Sequence, residues 1–189
     1  MENIRKILKN KILILDGAMG TMIQDYKLDE NDYRGDKFSD YISSLKGNND
    51  LLSITQPKII EDIHYKYLMA GADIIETNTF NANSISQSDY NLEDFVFEMN
   101  FQSAQIAKNA VKRFNKNNEG KKFVCGSIGP TNRTASLSPK VEDLSFRNVT
   151  FDELYATYYE QVDGLIKGGV DLLMIETIFD TLNCKAAII

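Results

Sequence analysis

Short apolar runs alternate with longer amphipathic stretches along most of this chain. Residues 11–16 (KILILD), 72–77 (ADIIET), 123–128 (FVCGSI) and 171–177 (DLLMIET) are nearly continuous apolar segments. Runs of this length without a polar face are typical of strands that are buried on both sides of a parallel sheet. The pattern therefore predicts four parallel strands.

Between these runs, apolar residues recur at the spacing of a helix. Pro57 begins the first amphipathic helix, at a position where its missing N–H costs little, and Gly71 ends it. Asn91 is expected to cap a second helix that runs to about Phe114. His64 falls opposite most apolar positions of the first helix, which predicts a surface side chain.

Two further helices complete the pattern. Thr150 and Glu153 have the spacing of a capping box, and Gly168 with Gly169 ends the helix that they begin. The last helix begins near Asp180. Strands and helices therefore alternate, and the chain contains about four βα units.

Such a series builds either a doubly wound sheet or a (β/α)8 barrel. Residues 16–21 (DGAMGT) lack the Gly-x-Gly-x-x-Gly spacing of a dinucleotide site, which argues against the doubly wound sheet. The two longest loops, residues 24–56 and 129–149, both follow strands, as functional loops of a barrel do. We therefore predict an α/β fold, a (β/α)8 TIM barrel of which this chain supplies about the first four βα units. Because the chain stops inside a predicted helix, it is expected to be truncated at its C-terminus.

The composition is that of an ordinary globular domain. Hydrophobic residues make up 43% and charged residues 25% of the 189 residues. The net charge of −6 argues against nucleic-acid binding, which needs clustered Lys and Arg. No apolar stretch is long enough to span a membrane, and residues 1–11 lack the apolar core of a signal peptide, so the expected location is cytoplasmic.

Three carboxylates stand at the predicted carboxyl ends of strands: Asp16, Glu76 and Glu176. In a barrel these ends face one mouth, where the three groups are expected to meet. They could bind a substrate ammonium group or a divalent cation, act as acid and base, or each cap the next helix. The small residues of the 16–21 turn can hold a carboxylate through backbone N–H groups, although without further context a plain strand-to-helix turn explains them better.

Residues that could bind a soft metal are few. The chain has two cysteines, Cys125 and Cys184, and one histidine. Cys125 lies within a predicted strand and Cys184 on a predicted helix, and they form no Cys-x-x-Cys pair. We therefore assign no metal ligand to this chain.

Several segments, taken together, resemble homocysteine S-methyltransferase domains. The matches run in order over nearly the whole chain, and the later ones resemble the variant found in cobalamin-dependent methionine synthases. The segments that match the family in general are residues 15–24, 49–57 and 71–80, and those that match the cobalamin-dependent variant are residues 129–136, 146–151 and 175–183.

The resemblance implies a barrel that binds homocysteine and zinc. In that family zinc holds the substrate sulfur as a thiolate, which keeps a nucleophile available at neutral pH. The methyl group then comes from methylcobalamin, which methyltetrahydrofolate regenerates. The family's zinc ligands are cysteines of the later half of the barrel and match nothing here. Zinc ligands are therefore expected beyond residue 189, and cobalamin and folate would be bound by other modules of the full-length chain.

The resemblance also assigns substrate-binding residues to the 16–21 turn and to two strand ends. Glu176 is the candidate that binds the ammonium group of L-homocysteine, and as a carboxylate buried against a cation it would stay ionised. The expected homocysteine-binding residues are Asp16, Gly17, Met19, Gly20, Thr21, Glu76, Thr77, Asn78 and Glu176.

The expectation is thus that residues 1–189 are the N-terminal half of the homocysteine-binding barrel domain of a methyltransferase, and that this half alone is inactive. A half barrel has two open sheet edges and an exposed apolar face, so the fragment is also expected to self-associate. Three alternatives stay open: a homocysteine S-methyltransferase with another methyl donor, a divalent-metal-dependent barrel lyase or aldolase, and a non-catalytic binding module.

Overall fold

Three short parallel strands form the sheet in a computed structural model that describes residues 4–189. The strands are β1 (Ile74–Glu76), β2 (Phe123–Ile128) and β3 (Leu172–Ile175), and β2 lies between the other two. Every residue of β2 is buried, as the apolar run predicts for a central parallel strand. The prediction that residues 1–11 carry no signal peptide falls partly on residues 1–3, which lie outside the described residues.

The first predicted strand, residues 11–16, is only partly formed. Leu15 makes a single parallel bridge with Ile74, and the N–H of Asp16 donates to the carbonyl of Ile74 at 2.9 Å. Ile12 and Ile14 are 88% and 59% exposed, so the prediction of a strand buried on both faces is wrong here. The reason is that, within residues 4–189, this segment has a strand neighbour along one edge only.

Strands that follow one another along the chain are also neighbours in space, from the bridged Leu15 through β1 and β2 to β3. A doubly wound sheet reverses its strand order at a switch point, whereas a barrel adds each new strand on the same side. The observed order is that of the barrel type. The prediction of an α/β fold with a parallel sheet is confirmed.

Three long helices and several short ones surround this sheet, and the local signals of the sequence mark several of their ends. Pro57 begins one helix, and Gly71 ends it in the left-handed conformation at φ 111°. Thr150 and Glu153 form both bonds of the predicted capping box. The α-helices are α1 (Ile4–Ile7), α2 (Met19–Gln24), α3 (Glu30–Arg34), α4 (Leu52–Thr55), α5 (Pro57–Ala70), α6 (Ser84–Gln87), α7 (Val96–Phe114), α8 (Phe151–Gly168) and α9 (Thr181–Ile188), and 3₁₀ turns span Asn49–Leu51, Ser88–Tyr90 and Glu93–Phe95.

The predicted cap at Asn91 is wrong. Asn91 ends the 3₁₀ turn Ser88–Tyr90 in the left-handed conformation, at φ 58°. An N-cap residue needs an extended conformation, so Asn91 cannot fill that role. α7 instead begins at Val96, directly after the 3₁₀ turn Glu93–Phe95, and ends at Phe114 as predicted.

The prediction of a surface position for His64 is also wrong. His64 lies on α5 and is completely buried, and neither ring nitrogen has a hydrogen-bond partner among the described residues. Burial lowers the pKa of this imidazole to about 4. The reason is that α2, α4, α7 and β1 all pack against α5, so this helix is covered on more than its apolar face.

α7 and α8 pack closely at two glycines of α8. A Cβ on Gly168 would lie 2.5 Å from the Cβ of Ala104, and one on Gly164 would lie 2.8 Å from the Cβ of Asn100. Any side chain there would push the helices apart.

Within the described residues, no helix is both long and apolar enough to cross a membrane.

Candidate functional site

A cavity of about 450 Å³ opens where β1 and β2 end. Thr21 does not line it, because this residue is exposed on α2. The other eight residues that the sequence singles out do line it: Asp16, Gly17, Met19, Gly20, Glu76, Thr77, Asn78 and Glu176.

The three carboxylates at strand ends share this cavity. The N–H of Glu76 donates to Oδ2 of Asp16 at 3.1 Å, which links the ends of two neighbouring strands. Oδ1 of Asp16 and Oε1 of Glu76 are buried atoms without a hydrogen-bond partner among the described residues. These two oxygens are therefore free to accept hydrogen bonds from a ligand.

None of the three carboxylates caps the helix that follows it. The N-cap residues of α2, α6 and α9 are Ala18, Asn83 and Asp180. The interpretation that each of these carboxylates caps the next helix is therefore wrong. Their common feature is instead the cavity that they line.

Burial and mutual repulsion disfavour negative charge in this cavity. Burial raises the pKa of Asp16 to about 7, and the charges of Glu76 and Glu176 add to this rise. Burial and the charge of Glu176 likewise raise the pKa of Glu76 to about 7. A cation placed among these groups would reverse the repulsion, so the cavity suits a ligand with a positively charged group.

The turn after the first strand is made of small residues that pack against α5. The hydroxyl of Tyr67 donates to the carbonyl of Ala18 at 3.1 Å. A Cβ on Gly17 would lie 3.3 Å from the same hydroxyl oxygen, so a larger residue would push Tyr67 away. Ala18 is the N-cap of α2 and makes no side-chain hydrogen bond to the helix. The turn residues 17–20 line the cavity.

Asn78 uses its polar groups for internal hydrogen bonds. Its backbone N–H donates to Oγ of Ser103 at 2.8 Å, and its side-chain amide donates to the carbonyl of Asn49 at 2.7 Å. The same amide also contacts Oγ of Ser53 at 3.3 Å. Asn78 therefore ties β1 to the 3₁₀ turn and to α4, and its amide protons are already engaged.

Further residues line the cavity that the sequence analysis did not select. Asp50 is only 5% exposed, and its Oδ1 accepts the N–H of Asn81 at 2.9 Å. Burial raises the pKa of Asp50 to about 6. Sequence reasoning missed it because it lies within a long polar stretch, where an acidic residue carries no strand-end signal. The other such residues are Ala18, Asn49, Thr79, Phe80, Asn81 and Ser127.

The residues that the structure describes do not fit a zinc site. A thiolate is the form that binds zinc, but burial and the nearby charges of Glu76, Asp16 and Glu176 raise the pKa of Cys125 to about 12. Cys184 lies on α9, well away in sequence, and is half-buried. Among residues 4–189, no three His, Cys, Asp or Glu side chains are grouped so that they could hold a metal ion.

Comparisons with known proteins place the chain in a family. The sequence matches the homocysteine S-methyltransferase family model over residues 13–189. The structure is similar to the metallated form of the homocysteine methyltransferase MmuM from Escherichia coli, with a TM-score of 0.72, 22% identity and coverage of 97% of this chain. It is also similar to the oxidized form, with a TM-score of 0.74, 23% identity and coverage of 98% of this chain.

In both comparisons the match covers 60% of the MmuM chain, so the present chain spans about three fifths of that protein's length. At this level of identity the likeness establishes the fold. The family model, in contrast, covers nearly the whole chain. This chain therefore belongs to the homocysteine S-methyltransferase family.

Proposed function

We propose that this chain is the homocysteine-binding part of a methionine synthase, and that residues 1–189 form the N-terminal half of its barrel domain. The observation that carries this proposal is the convergence of Asp16, Glu76 and Glu176 on one cavity at the strand ends. Membership of the family supports homocysteine as the methyl acceptor. The proposed donor, methylcobalamin regenerated from methyltetrahydrofolate, rests on the resemblance of residues 129–136 to cobalamin-dependent enzymes.

In this proposal the residues of the cavity recognise the amino-acid end of L-homocysteine. Glu176 accepts the ammonium group, and the unpartnered oxygens of Asp16 and Glu76 lie in the same cavity. The ammonium charge favours ionised carboxylates there, so binding releases a proton when it occurs below the raised pKa of Asp16. The backbone of residues 17–20 is proposed to hold the substrate carboxylate.

The proposed contribution of this chain is recognition and orientation of the substrate. Zinc, when bound, would supply the acidity that turns the substrate thiol into a thiolate. Its ligands are proposed to lie beyond residue 189, because Cys125 and Cys184 do not fit the task. Cobalamin and methyltetrahydrofolate are proposed to bind to other modules of the full-length chain, in the cytoplasm.

The test is a calorimetric titration of L-homocysteine into the full-length protein, with and without zinc. We expect zinc-dependent binding with proton release at pH 8, above the raised pKa values of Asp16 and Glu76, because a metal-bound thiol gives up its proton. Glu176→Gln should weaken homocysteine binding about tenfold or more, since a hydrogen bond to a charged group is lost, while zinc affinity stays the same. Glu142→Gln, at an exposed loop position, is the matched control. Absence of binding to the wild-type protein in both conditions would contradict the proposal.

A homocysteine S-methyltransferase with another donor is the second candidate. The structural likeness to the homocysteine methyltransferase MmuM favours it. Single-turnover assays that supply homocysteine with either methylcobalamin or S-methylmethionine to the zinc-loaded protein separate the two candidates. Methylation of homocysteine with S-methylmethionine but not with methylcobalamin as the donor would support the second. Family membership argues against the lyase or aldolase and against a non-catalytic module.

A further inference from the structure

Ser127 lies near the carboxyl end of β2 and is 3% exposed. Its hydroxyl donates a hydrogen bond to Oε1 of Glu176, with 2.5 Å between the two oxygens. Glu176 follows β3 directly, and its N–H donates to the carbonyl of Ile128 at 3.0 Å. The backbone and the side chain of Glu176 are therefore both attached to the end of β2.

Two threonines hold the backbone of Ser127 in place. The N–H of Ser127 donates to Oγ1 of Thr77 at 3.0 Å, and Oγ1 of Thr79 donates to the carbonyl of Ser127 at 2.7 Å. The two threonine hydroxyls lie 2.6 Å apart. Because the single proton of Thr79 is given to a carbonyl, which can only accept, Thr77 must donate its own proton to Thr79.

This arrangement leaves the hydroxyl protons of both threonines fully engaged. Gln161 on α8 adds an outer support, since its side-chain amide donates to the carbonyl of Thr79 at 2.8 Å. Ser127, Thr79 and Gln161 are all buried. The hydroxyl protons of Ser127, Thr77 and Thr79 each have one acceptor in this network, which favours a single arrangement of these three side chains.

We propose that Ser127 is a positioning residue, which acts on the substrate through Glu176. The proposal rests on the proposed function, in which Glu176 binds the ammonium group of homocysteine. The hydroxyl of Ser127 donates its hydrogen bond to Oε1 of Glu176, so Oε2 of the same carboxylate is available to the ligand. Among the described residues, Oε2 has only a long contact with the hydroxyl of Thr177, at 3.4 Å. Thr77, on the same argument, orients Ser127 and does not itself donate to the substrate.

Ser127→Ala in the full-length protein tests the proposal. We expect homocysteine binding to weaken by about tenfold, because Glu176 loses a charge-assisted hydrogen bond and with it one fixed orientation. Zinc affinity should change little. Ser84→Ala is the matched control. This substitution also removes a serine hydroxyl, which lies 2.9 Å from the hydroxyl of Thr157, but Ser84 does not line the cavity.

A double-mutant cycle separates positioning from a general structural role. If Ser127 acts through Glu176, Ser127→Ala should change binding by less than about twofold when Glu176→Gln is already present. Equal losses in both backgrounds would overturn the proposal, and so would wild-type affinity in Ser127→Ala.

A crystal structure of Ser127→Ala without ligand gives a second measurement, which does not depend on homocysteine binding. A displaced or disordered Glu176 carboxylate would support the positioning role. An unchanged carboxylate would overturn it. If the wild-type protein does not bind homocysteine, the proposed function fails, and this comparison alone decides whether Ser127 positions Glu176.

Discussion

The backbone N–H of Glu76 donates a hydrogen bond to Oδ2 of Asp16 at 3.1 Å, although 60 positions separate the two residues in the sequence. The bond joins the ends of two neighbouring parallel strands and places two carboxyl groups at one cavity. The charge of Glu76 adds to the raised pKa of Asp16, and the charge of Glu176 adds to the raised pKa of both groups. A positively charged ligand group in this cavity would therefore lower the cost of ionising its carboxyl groups.

Asp16→Asn should make the protein more stable at pH 8 than the wild type. Asp16 has a pKa of about 7 in the folded protein, above its value of 3.8 in an unfolded chain. The folded state therefore binds more protons between about pH 4 and pH 7, and this stabilisation is lost as the pH rises through that window. Removing the charge should raise the free energy of unfolding at pH 8 by about 1–4 kcal/mol. The upper value converts the whole pKa shift of Asp16 at about 1.36 kcal/mol per pH unit.

Thermal unfolding of the full-length protein at pH 4 and pH 8 measures this difference. Asp36→Asn serves as the control, because Asp36 is exposed and does not line the cavity. A gain of the same size at both pH values would show that the carboxyl group at Asp16 does not titrate as described.

His64→Leu should stabilise the protein, and most strongly in acid. His64 is buried without a hydrogen-bond partner among residues 4–189, and burial lowers its pKa to about 4. Because its unfolded value is 6.5, the folded state loses stability as the pH falls from about 6.5 towards 4. Removing the unpaired imidazole should raise the free energy of unfolding by about 1–3 kcal/mol, with the larger increase near pH 5.

The measurement is denaturation of wild type and His64→Leu at pH 5 and pH 8. The sign of this pH dependence is opposite to that of Asp16, so each variant is compared with the wild type at the same pH. A loss of stability at both pH values would mean that the imidazole has a partner or that leucine does not fit the space.

Gly129→Ala should disturb the cavity wall. A Cβ at Gly129 would lie 2.3 Å from the carbonyl oxygen of Phe80, a distance that only a backbone shift can relieve. Phe80 lines the cavity, so the shift should reduce ligand affinity and cost about 2 kcal/mol or more in stability. Gly120→Ala has a strained φ of +113° but meets no atom within 4 Å, and it should cost only about 1 kcal/mol. Thermal unfolding and homocysteine titration of both variants would check this, and equal effects would contradict it.

The isolated chain of residues 1–189 should self-associate and form no methionine. Ile12 and Ile14 are 88% and 59% exposed at one edge of the sheet, and Phe179 is 71% exposed just beyond the other edge strand. Open edges with apolar side chains favour pairing between copies. Light scattering over a range of concentrations tests this, and Ile12→Lys with Ile14→Lys should reduce the association. A monomer at high concentration, or steady methionine formation with methylcobalamin, would contradict the respective expectation.

Local signals in the sequence determined most of the secondary structure. Pro57 and Gly71 bound α5, Thr150 and Glu153 cap α8, and β2 has the predicted bounds. These features could be predicted because each depends on residues that are near one another in the chain. The strand-end positions of Asp16, Glu76 and Glu176 likewise followed from the alternation of strands and helices.

Only the tertiary structure decided features that depend on contacts between distant segments. Helices from several parts of the chain bury His64, and a single neighbouring strand leaves Ile12 and Ile14 exposed. The bond between Ser127 and Glu176 spans 49 positions, and nothing in the run FVCGSI marks that serine. The sequence by itself determined the bounds of β2, the ends of α5 and the cap of α8, because these signals are local. Burial, pKa values and hydrogen-bond partners depend on the tertiary structure, because neighbours in space set them.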